Sequence, residues 1–169
     1  PISRPFNIVT NGDISAQDAL TQDFVNWVMS ADGQAICTEE GYIGDDAAEA
    51  YTSTQPSGSL AVGGSSSVSP VMEKLIETYM ADVNPNASID LQTTDSTNGV
   101  TGALDGTCQV GMASRAISDD EASQGAVSTQ LAMDGIAVIV NTENAVSNIS
   151  MDSLRGIYTG EVTDWADVQ

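Results

Sequence analysis

A run of glycine and serine between two apolar segments is the feature that most constrains the fold of this chain. Residues 63–70 read GGSSSVSP, with a short strand-like segment at 59–62 before them and an amphipathic helical pattern after them. Pro70 suits the first turn of a helix, where the missing N–H costs nothing. Backbone N–H groups at a helix N-terminus can hold an anion without a cationic side chain. The run therefore predicts a strand, a loop that cradles an oxyanion, and a helix.

The charge balance restricts the classes of partner. Asp and Glu number 24, Lys and Arg number 4, histidine is absent and the formal net charge is −20. The cations are few and scattered: Arg4, Lys74, Arg115 and Arg155. Nucleic acid is therefore not a predicted partner, and an anionic membrane surface is disfavoured for the same reason. A small anion remains compatible with the acidity, because salt screens distant charge while local dipoles act at close range.

The length of 169 residues is that of one domain with a sizeable core. No run of 18 apolar residues is present, so no membrane span is predicted, and no signal segment is visible in this chain. Cys37 and Cys108 are the two cysteines, and they form either a disulfide or two buried thiols. Without histidine or further cysteine, they do not predict a zinc site.

Hydrophobic periodicity predicts alternating strands and helices. Strands are expected at 2–10, 59–62, 87–94, 108–113, 127–133 and 136–140. Helices are expected at 16–29, 30–41 with Ser30 as the N-cap, 71–84, 100–104, 118–123, and from a Ser150 cap onward. Residues 44–58 lack a periodic pattern and are interpreted as a linker. Phe24, Trp27 and Trp165 are interpreted as core residues. The alternation favours an α/β fold with a mostly parallel sheet flanked by helices on both faces.

In open α/β sheets, ligands bind beyond the carboxyl ends of the strands. Polar residues that follow three of the predicted strands are the candidate ligand-binding residues: Ser65, Ser66, Ser67, Ser96, Thr97, Ser114 and Arg115. The serines and Thr97 would donate hydrogen bonds at the starts of helices, and Arg115 would fork onto the anion or onto a nearby carboxylate. A serine nucleophile is disfavoured because no histidine can act as its base, so no catalytic residue is predicted.

Several runs carry a family resemblance: GSSSVSPVMEKL at 64–75, DGTCQVGMASR at 105–115, LAMDGIAVIVN at 131–141 and LRGIYTG at 154–160, with Trp165. From about Leu60 to the end, the chain resembles the phosphate-binding subunit of bacterial phosphate ABC transporters. The resemblance implies one lobe of a two-lobed type II periplasmic-binding-protein fold. It also implies a binding protein without enzymatic activity, cofactor or metal. Its ligand would be inorganic phosphate, its partner an ABC transporter permease, and its location extracytoplasmic, in the periplasm or as a cell-surface lipoprotein.

The order of segments departs from that family. Residues 1–43 resemble the family's C-terminal end and would complete lobe 1, with 44–58 as the linker, 59–141 as the main part of lobe 1 and 142–169 as the start of a truncated second lobe. The chain would be a circular permutant or a slice across two tandem copies.

The resemblance also implies that part of the site is missing. The family's second lobe contributes an arginine and a Ser-Gly-Thr loop, and no Ser-Gly-Thr occurs in this sequence. The chain would hold about half of the phosphate site, with a swapped or tandem second lobe supplying the rest. Some relatives have an acidic residue near the position of Arg115 that accepts the proton of monohydrogen phosphate and helps to reject sulfate. The arginine leaves discrimination between phosphate and sulfate open. The alternatives are an interaction module of the same fold without ligand binding, or binding of another small oxyanion.

Overall fold

A computed structural model describes residues 2–168. Contacts divide the chain into two units, Pro1–Ile136 and Ala137–Gln169, of which residues 1 and 169 lie outside the description. The division falls close to residue 142, where the sequence places the start of a second lobe. That assignment to lobes, including its end residues 1 and 169, remains a prediction.

The first unit contains one five-stranded sheet. Its strands are β1 (Ile2–Asn11), β2 (Gly58–Ser65), β3 (Ala87–Thr94), β4 (Val110–Ala113) and β5 (Ala126–Ile136), in the spatial order β3-β2-β4-β1-β5. β2 pairs in parallel with β3 and β4, whereas β1 is antiparallel to both β4 and β5. Four strands thus run in one direction. The predicted α/β class is confirmed, and the sheet is mixed because β1 enters it in reverse.

Helices cover both faces of this sheet, as expected. They are α1 (Ala19–Val28), α2 (Ala31–Glu39), α3 (Ser69–Thr78), α4 (Ser96–Asp105) and α5 (Asp119–Ser123), and a π-helical turn at Tyr79–Val83 extends α3. Neighbouring residues of β1 point to opposite faces. Ile8 packs in the cluster that contains residues of α1, α2 and α3, and Val9 packs in the cluster that contains residues of α4.

The second unit contains α6 (Met151–Thr159) and a 3-10 turn at Trp165–Asp167. Ser150 caps α6 by accepting a hydrogen bond from the Ser153 N–H, which confirms the predicted cap. Trp165 is 49% exposed, so its interpretation as a core residue is wrong, whereas Phe24 and Trp27 of the first unit are buried. No helix within residues 2–168 is both long enough and apolar enough to cross a membrane.

One predicted strand is absent, and both β5 and β2 are longer than expected. β5 continues through Asp134 and Gly135, which were expected to end it, and stops at Ile136 opposite Ile2 of β1. The separate strand expected at 136–140 does not form, because the described part of β1 supplies no partner beyond that pair. β2 extends to Ser65, so Gly63 and Gly64 belong to the strand and not to the loop.

Two local expectations about side chains are also corrected or resolved. Ser30 occupies the N-cap position of α2, but its hydroxyl donates to the Trp27 carbonyl at 2.6 Å and caps no N–H group. Cys37 and Cys108 are free, buried, and members of clusters on opposite faces of the sheet, which excludes the disulfide alternative. Burial raises the pKa of the Cys37 thiol to about 11.

A buried carboxylate anchors the segment interpreted as a linker. Asp23 of α1 is 2% exposed. It accepts hydrogen bonds from the hydroxyls of Tyr51 (3.1 Å), Ser53 (2.5 Å) and Thr54 (3.0 Å) and from the Thr54 N–H (2.7 Å). The Tyr79 hydroxyl donates to it at 2.6 Å from the π-helical turn that follows α3. Residues 45–57 contain no helix or strand, yet these bonds hold the segment against α1.

Burial acts to raise the pKa of Asp23, but the hydrogen bonds from Ser53, Tyr79 and Thr54 outweigh it and hold that pKa below its usual value. The ionised carboxylate therefore stabilises the fold at neutral pH. We expect Asp23→Asn to lower the free energy of unfolding at pH 7 by about 2–4 kcal/mol, measured by urea denaturation.

The difference from wild type should shrink as the pH falls below about 4, because protonation of Asp23 removes the same contribution. Asp46→Asn, at an exposed position in the same segment, is the control and should change stability by less than about 0.5 kcal/mol. Equal losses in the two variants would contradict the anchoring role of Asp23.

Three glycines bring α4 unusually close to the sheet. A Cβ atom on Gly99 of α4 would lie 2.4 Å from the Met112 carbonyl oxygen, and one on Gly111 of β4 would lie 2.3 Å from the Gly99 carbonyl oxygen. Gly64 of β2 has φ +135°, and its Cβ would also lie 2.3 Å from the Met112 carbonyl oxygen. The first turn of α4 is therefore held directly against the last residues of β2 and β4.

Gly63 and Gly111 form a matched pair for testing this contact, since they are register partners in adjacent strands. A Cβ on Gly63 would find its nearest atom at 3.7 Å, which is ordinary contact. We expect Gly111→Ala to destabilise the protein by about 2–3 kcal/mol through overpacking, and Gly63→Ala by less than about 1 kcal/mol. Thermal and urea unfolding measure both; equal stability of the two variants would contradict the close approach of α4.

Candidate functional site

The carboxyl ends of three parallel strands lie side by side at one edge of the sheet. Ser65 at the end of β2 pairs with Thr94 at the end of β3, and Gly64 pairs with Met112 of β4. The chain continues from these ends into the turn before α3, into the start of α4 at Ser96, and into Ser114. The register thus places the starting points of all three predicted polar segments at the same edge, where ligands bind in sheets of this kind.

Ser96 and Ser114 are in direct contact. The Ser114 N–H donates to the Ser96 hydroxyl oxygen at 3.0 Å, and the two hydroxyl oxygens are 3.3 Å apart. Both residues are half-buried. Ser96 is the first residue of α4 and not part of a preceding loop. Two hydroxyl groups from different segments therefore converge, as predicted from their positions after neighbouring strands.

The serine turn before α3 is built around Ser65. This residue is buried in β2, its hydroxyl accepts from the Ser67 N–H at 3.3 Å, and its carbonyl accepts from the Ser69 hydroxyl at 3.1 Å. The Thr93 hydroxyl donates to Ser69 at 2.9 Å and links the end of β3 to the start of α3. Ser66 is exposed and Ser67 is half-buried, so these two residues form the accessible part of the turn.

Asp95 occupies the N-terminus of α4. One of its carboxylate oxygens accepts from the N–H groups of Thr97 (2.8 Å) and Asn98 (2.9 Å), and the other accepts from the Asn98 amide at 2.8 Å. The Thr97 N–H is therefore already bonded, although Thr97 itself is exposed. This cap was not predicted, although an aspartate directly before a helix is a standard N-cap signal in a sequence.

Arg115 makes a two-pronged ion pair with Glu121 of α5. Its terminal nitrogens donate to the two carboxylate oxygens at 2.9 and 2.7 Å. The Arg115 hydrogen bonds, with a further one from the Ser118 N–H, lower the pKa of Glu121 to about 2, so the pair persists at neutral and mildly acidic pH. The sequence leaves two partners open for Arg115, the anion or a nearby carboxylate. In the structure its guanidinium binds the carboxylate of Glu121. Ser118 and Glu121 also form the capping box of α5, a spacing that is readable in the sequence.

The Arg115 carbonyl is held by a residue of a different strand. The side-chain amide of Asn7 in β1 donates to it at 2.7 Å, across 108 residues of sequence. No local pattern could have indicated this contact, because its two partners are remote in the chain.

A separate cavity of about 220 Å³ lies beside α4, and the seven predicted site residues are not among those that line it. Its walls include backbone of β2 and the side chains of Thr94, Asn98, Asp105 and Cys108. Within residues 2–168, no three acidic or cysteine side chains are arranged so that they could hold a metal ion. The serine-lined edge is thus an open surface of neutral hydrogen-bonding groups, flanked by the carboxylate of Asp95 and the ion pair of Arg115.

Comparison with known proteins identifies the fold. A phosphate-binding protein, PstS 2, from Streptococcus agalactiae serotype V is 44% identical over 167 residues, which cover 99% of this chain and 56% of the relative. The crystal structure of a phosphate-binding protein of a phosphate ABC transporter from Streptococcus pneumoniae superimposes with a TM-score of 0.89 at 37% identity, covering 100% of this chain and 64% of that one.

A phosphate ABC transporter substrate-binding protein from Clostridium perfringens, with bound phosphate, matches with a TM-score of 0.55 at 34% identity, over 65% of this chain and 45% of that one. The chain thus spans little more than half the length of the S. agalactiae relative. The model of the PBP superfamily domain matches residues 49–169, well over half of the sequence. The chain therefore belongs to the PBP superfamily.

Proposed function

We propose that this chain forms one lobe of the extracytoplasmic phosphate-binding component of an ABC importer and binds phosphate without catalysing a reaction. The convergence of Ser96 and Ser114 at the carboxyl edge of the sheet carries the proposal. The name of the S. agalactiae relative and the phosphate in the C. perfringens structure support it. An anion site built from uncharged dipoles suits this protein, since it has a net charge of −20 and only 4 Lys and Arg side chains.

Each predicted site residue has a proposed role. Ser66 and Ser67 donate from the turn before α3, and Ser96 and Ser114 donate their hydroxyls from the neighbouring segments. Three further residues border them: Ser65 shapes the turn, Thr97 lies in the first turn of α4, and Arg115 adds positive charge that Glu121 offsets.

The residues of this chain would form about half of the proposed phosphate site. We propose that a second lobe, swapped from a neighbour or tandem in the same protein, supplies donors from the opposite side. Residues 1–43 and 59–141 would form lobe 1, with 44–58 joining them and 142–169 beginning the second lobe. An ABC transporter permease would receive the phosphate. The proposed location is the periplasm or the cell surface, the latter through a lipid anchor.

A second candidate is an interaction module of the same fold that binds no ligand. The cap at α4 favours it, because Asp95 occupies the Thr97 and Asn98 N–H groups and places a carboxylate beside the site. An anion approaching the α4 N-terminus would have to displace that carboxylate or bind to one side of it.

Titration with phosphate and sulfate, followed by backbone amide resonances, separates these functions. For the chain alone we expect saturable shifts at Ser66, Ser96 and Ser114 with a phosphate dissociation constant of about 1 mM, since half the donors are missing. The sulfate titration measures discrimination between the two oxyanions, which Arg115 leaves open. No response to phosphate would support the interaction module, equal responses would indicate a general oxyanion site, and submicromolar binding would contradict the half-site.

Serine substitutions test which groups bind. We expect Ser66→Ala and Ser96→Ala each to weaken phosphate binding by about tenfold, because each removes a hydrogen bond to a charged ligand. Ser59→Ala is the matched control, since Ser59 lies at the opposite end of β2, and it should leave the dissociation constant unchanged. Undiminished binding by both test variants would remove these hydroxyls from the site.

Removing the carboxylate charge that pairs with Arg115 should raise the affinity for phosphate. Glu121→Gln removes the carboxylate charge but keeps a residue that can complete the capping box of α5. We expect phosphate binding to tighten by about three- to tenfold at low ionic strength, with the gain shrinking in high salt.

Glu77→Gln is the control for that gain, since Glu77 pairs with Lys74 on the exposed surface of α3. It should leave phosphate affinity unchanged. An unaltered affinity in Glu121→Gln would show that the Arg115 guanidinium does not act on the anion.

A further inference from the structure

Asn7 is a buried polar residue in an apolar stretch of β1. It is 5% exposed, while its neighbours Phe6, Ile8 and Val9 are at most 1% exposed and pack in the two hydrophobic clusters. The pairing of β1 with β5 shifts register between Phe6 and Asn7. Such irregularities redirect side chains and are frequent beside functional sites. A buried amide costs free energy unless it is hydrogen-bonded, so the side chain of Asn7 requires a partner inside the fold.

That contact lies in the segment that follows β4. Asn7 is the register partner of Ala113, the last residue of β4, and its side-chain nitrogen donates to the Arg115 carbonyl at 2.7 Å. The Ser114 N–H donates to the Ser96 hydroxyl at 3.0 Å. The dipeptide of Ser114 and Arg115 is therefore fixed at its first N–H by α4 and at its last carbonyl by β1.

We infer that Asn7 is a positioning residue of the oxyanion site, an inference that rests on the proposed function. The Ser114 hydroxyl and the Arg115 N–H lie between the two anchored groups, so the anchors set the directions in which they donate. Beyond the last inter-strand hydrogen bond, the backbone torsions of a segment are less constrained. A donor that points away from the anion contributes little to binding, so such a segment needs other contacts to orient its donors. Asn7 touches no ligand in this scheme and acts through the backbone of Arg115.

Asn11 provides a control in the same strand, at an exposed position. Its side-chain nitrogen also donates to a backbone carbonyl, that of Leu104, at 3.0 Å, but Leu104 lies in the last turn of α4, away from the serines. Asn7→Ala and Asn11→Ala therefore each remove one amide-to-carbonyl bond from β1. Asn7→Asp, which keeps the size of the side chain and replaces the donor by an acceptor, serves as a second test if the alanine variant does not fold.

We expect Asn7→Ala to weaken phosphate binding by about tenfold and Asn11→Ala by less than about twofold, measured by amide titration. In the absence of phosphate, the Ser114 and Arg115 amide resonances should move in Asn7→Ala while those of Ser66 and Ser67 stay in place. Equal losses of affinity in the two variants, or an Asn7 variant with wild-type affinity, would overturn the inference.

The proposed function and the role of Asn7 fail in different ways. If the wild-type chain shows no response to phosphate, the proposed function fails. Hydrogen exchange at the Ser114 amide then still decides the role of Asn7. Faster exchange in Asn7→Ala than in Asn11→Ala supports positioning of the segment, and unchanged exchange excludes it.

Discussion

The close approach of α4 to the sheet is the contact on which the candidate site depends. Gly99 in the helix and Gly64 and Gly111 in the strands allow backbone to meet backbone where any Cβ would clash. This contact brings the first residue of α4 to the end of β4, so that Ser96 can bond to Ser114. A helix held farther from the sheet by larger side chains would separate the two hydroxyls, and the polar edge would consist of unconnected turns.

Charge in this site is balanced locally, which matters in a strongly acidic protein. Arg115 is neutralised by Glu121, and the N-terminal N–H groups of α4 are partly occupied by Asp95. What remains available is a set of neutral donors on half-buried or exposed serines. A neutral donor stabilises an anion only when its N–H or O–H group points at the anion. The positions of the backbone segments that carry the donors therefore decide how strongly the site binds.

Much of the local structure could be predicted from sequence. The helices follow the apolar periodicity, the α6 cap follows from Ser150, and the serine turn lies between a strand and a helix as expected. The errors have local causes as well. The strand expected at 136–140 is absent because an apolar run forms a strand only beside a partner strand. The cap expected at Ser30 is absent because its hydroxyl donates to the Trp27 carbonyl instead. The attachment of the segment at 44–58 to α1 was not predicted, because a buried carboxylate on α1 cannot be recognised from the polar residues that bind it.

The sequence by itself determined which residue types follow each strand, because turn, cap and hydroxyl chemistry depends on near neighbours in the chain. Only the tertiary structure decided which of those residues meet. The reversed entry of β1, the contact of Asn7 with Arg115 across 108 residues, and the convergence of Ser96 with Ser114 all follow from strand register and helix packing. Register is set by the burial of whole strand faces, a property of the assembled sheet that no short stretch of sequence contains.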